Sequence, residues 1–111
     1  MENRFEEITK ELIEMLSKKN NDYSGKSEDR YKNIRMPELF GICKTEEAVL
    51  ARICDKISRV NNIIKDEKSI QIKNESKIDN LKDIAGYCII LICYIKDKEM
   101  EVSKWLGFMK V

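Results

Sequence analysis

Three carboxylates recur at four-residue steps near the C-terminal half of the chain: Glu75, Asp79 and Asp83. On a helix, residues four apart are neighbours, so like charges stacked there repel unless something positive sits among them. Lys or Arg could supply that charge. So could Mg²⁺, which proteins hold through one or two carboxylates together with substrate phosphates. The plainer alternative is a solvated face balanced by Lys77 and Lys82, since charge runs are usually solvent faces. A second set, Arg52, Asp55, Lys56 and Arg59, has the spacing of one helical side. Arg and Lys can grip phosphate oxygens while Asp55 adds a metal ligand; an exposed salt-bridged stripe, each pair worth about 0.2–0.5 kcal/mol, is the alternative. A third set, Lys18, Lys19, Asp22, Tyr23, Lys26 and Arg35, places flexible cations beside tyrosine, which suits contacts to phosphates and bases. A polar surface loop has the same composition.

Other chemistry is excluded by what the chain lacks. There is no histidine, which removes His-based zinc sites and His-based triads. No glycine fingerprint of a P-loop or dinucleotide fold occurs among the four glycines. The cysteines, Cys43, Cys54, Cys88 and Cys93, show no C-x-x-C spacing. Three of them fall inside apolar helical patterns, which predicts reduced, buried, small hydrophobic residues in a cytosolic protein.

The elements that must position these residues are helical. Phe5, Ile8, Leu12 and Met15 repeat at three and four residues, which predicts a helix over 2–18 with Asn20 and Asn21 as its stop. Residues 19–44 show no period and read as a long ordered loop, anchored by Tyr23, Tyr31, Ile34, Leu39 and Phe40, with one helical turn at 36–40 opening on Pro37. Thr45 is a good N-cap, with Glu46 and Glu47 in the first turn. A helix then runs to about residue 65 on an apolar stripe of Val49, Leu50, Ile53, Ile57, Val60 and Ile64, with Arg52, Asp55 and Arg59 opposite. After a charged turn at 66–73, Asn74 or Ser76 could cap a last helix to about residue 98. There Ile78, Leu81, Ile84 and Ala85 face inward, and the acidic stripe continues into Tyr87, Ile90 or Leu91, and Tyr94. The apolar run 84–95 reads as a buried helix centre; it is shorter than the ~20 residues of a membrane span. A helix apolar all round must be covered on all sides, and self-association is the simplest cover. The tail 99–111, with Trp105, Leu106, Phe108 and Met109, can pack on its own subunit or a neighbour.

The expected fold is therefore all-α: one domain over 1–111, a bundle of three long helices with a long ordered loop after the first, assembled as a homodimer or homotetramer. Hydrophobic residues reach 42% and charged residues 37%, against a usual ~25% charged. Lys plus Arg total 21 and Asp plus Glu 20, a net +1 that offers no electrostatic case for duplex DNA or an anionic membrane. The N-terminus shows no apolar signal segment, so a cytoplasmic location is expected.

Taken in order, five strings resemble a known family: Lys-Lys-Asn-Asn-Asp-Tyr-Ser-Gly (18–25), Asn-Ile-Arg (33–35), Gly-Ile-Cys-Lys-Thr-Glu-Glu (41–47), Arg-Ile-Cys-Asp-Lys-Ile-Ser-Arg (52–59) and Glu-Ser-Lys-Ile-Asp-Asn-Leu-Lys-Asp-Ile-Ala-Gly-Tyr (75–87). Over roughly residues 12–95 the chain is similar to the phage and bacterial nucleotide-modification-associated domains, often called MazG-like. That family is grouped with all-α nucleoside triphosphate pyrophosphohydrolases, in which acids from two helices surround Mg²⁺ and the metal activates water to cleave between the α and β phosphates. The resemblance implies catalytic and metal-holding roles for Glu75, Asp79 and Asp83, with Asp55 as a further metal ligand. It implies nucleotide contacts from Lys18, Asp22, Tyr23, Lys26, Arg35, Arg52, Lys56, Arg59 and Tyr87, with Tyr23 or Tyr87 stacking on a base. The pyrophosphohydrolases carry acids paired three apart; here Glu47 and Asp55 are eight apart and the last-helix acids four apart. A nucleotide site with a poor metal cage suits a second role: a phage-encoded sponge in the host cytoplasm, sequestering cyclic or other nucleotide immune signals without cleaving them.

Overall fold

A computed structural model describes residues 3–24, 30–66 and 70–109. They form four helices and no strand: α1 Arg4–Ser24, α2 Lys32–Leu39, α3 Thr45–Lys65 and α4 Ile70–Met109. The all-α expectation holds, but the boundaries move. α1 passes through Asn20 and Asn21, which do not stop it. Part of the expected loop is itself helical, because α2 begins four residues before Met36 and carries Pro37 inside it. Packing explains α2. Ile34 is buried, and the Tyr31 ring meets Tyr94 edge-on at 5.5 Å, so tertiary contact supplies what local propensity lacks. The charged turn at 66–73 shortens, since α4 starts at Ile70 and absorbs the tail to Met109.

α2 ends in a Schellman motif. Gly41 sits at φ 75°, its N–H donating to the Glu38 carbonyl at 3.0 Å and that of Ile42 to Pro37 at 2.9 Å. The chain then re-enters helix at once. Lys44, not Thr45, is the N-cap of α3, and its N–H donates to Glu47 Oε1 at 3.1 Å. Thr45 is fully buried instead, and its hydroxyl donates to Glu38 Oε2 at 2.6 Å. That bond, ahead of the opposing effect of desolvation, holds the Glu38 carboxyl below the ordinary carboxylate range.

α3 and α4 lie antiparallel: Val49 shares the core with Tyr94, while Lys56 reaches Asp83. The core is small. Ile34, Val49, Ile53 and Tyr94 form it, with Tyr31, Ile84, Tyr87, Ile90 and Leu91 packed around them. α1 lies against α4 through Met15 and Leu16, and Gly86 permits the approach: a Cβ there would stand 3.1 Å from Met15 Cε and 3.3 Å from Leu16 Cδ2.

The buried face of α3 is rotated from the expected stripe. Val49 and Ile53 are buried, but Leu50, Ile57 and Ile64 are half or more exposed, while Arg52 and Lys56 turn inward. The apolar arc of α3 is wider than α2 and α4 together cover, and the Lys56–Asp83 pair helps select which part is covered. The same holds for α4. Ile78 and Leu81 are half-exposed rather than inward, and within 84–95 the residues Cys88, Ile89, Ile92, Cys93 and Ile95 are exposed. Cys54, Cys88 and Cys93 are thus free but exposed, because these helical faces have no cover among the described residues; Cys43, between α2 and α3, is free and half-buried. Phe5 and Ile8 on α1 are likewise exposed. No described helix is long and apolar enough to cross a membrane.

Candidate functional site

Three helices place charged side chains at one point. Lys19 of α1 donates to Asp83 Oδ1 at 2.9 Å, and Lys56 of α3 pairs with Asp83 Oδ2 at 3.0 Å. All three side chains are largely buried, Asp83 at 23% exposure and Lys56 at 21%. Burial by itself pushes the Asp83 carboxyl up; the hydrogen bonds and charges of Lys19 and Lys56 outweigh it and hold the group below its ordinary value. Beside this node, Lys82 donates to Glu11 Oε2 at 2.7 Å, a second link from α4 to α1. The Glu11 hydrogen bond raises the Lys82 ammonium against the lowering effect of desolvation.

Of the expected site residues, Asp83 and Lys56 meet here, joined by Lys19, which the sequence set beside Lys18. Arg52 is half-buried one turn from Lys56 on α3, while Arg59, Asp55 and Lys18 are exposed. Glu75 and Asp79 are exposed as well. The cause is helical drift: with ~100° per residue, each step of four turns a further ~40°, so an acid eight residues from another points ~80° away. Asp83 therefore looks into the junction while Glu75 looks to solvent. Among the described residues, Asp55, Glu75, Asp79 and Asp83 do not come together as a set that could hold a metal ion. Tyr87, expected as a stacking platform, packs against the core. The side chains of Asp22 and Tyr23 and the whole of Lys26 lie outside the described residues.

Arg35 is elsewhere. It lines a groove between α2 and α4 of about 310 Å³ with Tyr31, Glu38, Tyr94, Asp97 and Glu101. Asp97 follows Asp83 by fourteen residues, about 21 Å along α4. The expected nucleotide residues thus divide between two places too far apart for one phosphate. In this second place the Tyr31 hydroxyl donates to Asp97 Oδ2 at 2.5 Å. Desolvation first, then that hydrogen bond, raise the Tyr31 phenol well above its ordinary value. Sequence reasoning missed the Tyr31–Asp97 bond and the Thr45–Glu38 bond, and no spacing signal could have found either, since each joins residues from different elements.

Comparison with known proteins adds no assignment: no protein-family profile matches the chain, and no curated protein or solved structure matches it.

Proposed function

We propose that the chain binds a phosphorylated nucleotide at the junction of α1, α3 and α4 and holds it without cleaving it. The observation that carries this reading is the pair of ammonium groups, Lys19 and Lys56, drawn onto the two oxygens of one largely buried carboxylate. Asp83 takes one of the three ammonium donors of Lys56 and one from Lys19 of α1. Asp83 is then a positioning residue: it fixes two cations from separate helices near one point, and Arg52 one turn away adds a planar fork suited to phosphate oxygens. The low local dielectric of a half-buried junction strengthens such contacts over those at an open surface. The resemblance to MazG-like domains supports nucleotide as the ligand class. The dispersed acids support retention over hydrolysis, because Asp83 already answers two lysines and the others stand apart. For a phage-encoded protein this chemistry suits the sequestration of nucleotide signals.

The alternative is an Mg²⁺-dependent pyrophosphohydrolase. The observation on its side is that Asp79 lies one turn before Asp83 on the same helix. One experiment separates the two readings: thermal shift of the whole protein with linear and cyclic nucleotides, each with and without EDTA, followed by analysis of the recovered ligand. A ligand that binds only the native state at about 100 times its Kd raises stability by about 2.7 kcal/mol. The expected result is a rise in Tm that survives EDTA, is lost in Lys56→Ala, and leaves the nucleotide intact. A rise seen only with Mg²⁺, together with released pyrophosphate, would favour the enzyme. No shift with any nucleotide defeats both.

A further inference from the structure

α4 carries two apolar faces, and the described residues cover one. Ile84, Tyr87, Leu91 and Tyr94 meet α3. A second line runs through Ile78, Leu81, Ala85, Cys88, Ile92, Ile95, Glu99, Val102 and Leu106, alternating steps of three and four without a break. That is a heptad seam, with a repeat of 3.5 residues. Its large members are open: Ile78 49%, Leu81 52%, Ile92 54%, Val102 53% and Leu106 54%. The seam also opens into a groove of about 390 Å³, lined by Ile95, Glu99, Val102 and Leu106 with Glu46 and Lys98 at its side. Glu46 Oε1 is buried there without a hydrogen-bond partner among the described residues.

We infer that this seam packs against the same seam of a second copy of the chain, with the two α4 helices antiparallel. Size favours an association. A chain of 13.1 kDa exposes 9029 Å², where a folded monomer of that mass exposes roughly 6,400 Å². Its radius of gyration is 17.6 Å, against roughly 13 Å for a compact domain of this length. The five large open side chains of the seam, with Ile95 at 39% exposure, offer on the order of 500 Å² per subunit, so the pair reaches the roughly 1,000 Å² that a specific interface needs. Charge selects the direction. In a parallel pair each residue meets its own copy, so Glu99 would face Glu99 inside the seam. The antiparallel register sets Ile92 against Ile95, Ala85 against Val102, Leu81 against Leu106 and Glu99 against Cys88, which keeps every aliphatic layer and separates the two carboxylates. This pairing does not depend on the nucleotide reading.

Sedimentation of the full chain tests it. The expected mass is twice 13.1 kDa, and Ile92→Glu weakens the dimer by on the order of 100-fold or more with unchanged helicity, because Ile92 is exposed in the single chain. Phe5→Glu, at an open site off the seam, leaves the dimer intact. Direction is read by oxidation after Cys43, Cys54 and Cys93 are changed to Ser. Cys88 alone does not cross-link, whereas Ala85→Cys with Val102→Cys, in a chain that also has Cys88→Ser, gives a covalent dimer and neither single change does. A monomer at all concentrations, an undiminished dimer in Ile92→Glu, or ready cross-linking through Cys88 overturns the proposal.

Discussion

The two ends of the α3–α4 pair are closed by different physics. At one end, Val49 and Thr45 are wholly excluded from water, Tyr94 is buried under Tyr31, and Thr45, Glu38, Tyr31 and Asp97 exchange hydrogen bonds. At the other, α1 is held by Lys19–Asp83, Lys82–Glu11 and the short approach of Met15 and Leu16 to Gly86. Apolar burial is non-directional and little weakened by salt; ion pairs that keep part of their surface in water are weakened more. The first end holds most of the apolar core and the second rests on charge pairs, which is why the proposed ligand is placed at the second.

The largest expected effect probes the apolar end. Tyr94→Ala should destabilise the protein by about 3 kcal/mol in urea denaturation, by losing a buried ring and its partner; a change below half that would mean the core does not depend on this end. Gly41→Ala comes next, at about 1–2 kcal/mol, because a Cβ at φ 75° is strained in the turn that delivers Thr45. At the polar end, Asp83→Asn should cost roughly 1 kcal/mol, since it leaves two lysines facing each other without their carboxylate. Amide exchange should locate that loss in α1, leaving α3 little changed; uniform acceleration would contradict the division between the ends. The smallest effects are in pH. The Asp83 carboxyl is lowered in the folded state, so its contribution is present above the unfolded value near 4 and disappears as pH falls through the folded one. The Tyr31 phenol is raised, so its contribution is present below the unfolded value near 10 and disappears as pH rises through the folded one. An acid-limb stability profile should flatten in Asp83→Asn, and an alkaline one in Tyr31→Phe.

The helical class and the course of α3 were legible, because apolar residues at three- and four-residue steps describe one helix face whatever it packs against. α2 was not, since its eight residues lack a long period and form where Ile34 and Tyr31 find a core. The site was legible in part. Lys56 and Asp83 were singled out by spacing, and the structure joins them. Arg35 and Tyr87 were grouped with them, and the structure puts one in a distant groove and the other against the core. Spacing says which residues share a helix face; it does not say which face of another helix lies opposite.

By itself the sequence determined periodicity, charge balance and the absence of imidazole chemistry, all properties of residue types and their separation along the chain. Only the tertiary structure decided which of two apolar arcs on α3 and α4 is covered, and that the lysines of α1 and α3 share one carboxylate. Those outcomes depend on the rotation of each helix about its axis. That rotation is set by the whole set of partners at once, and no local pattern encodes it.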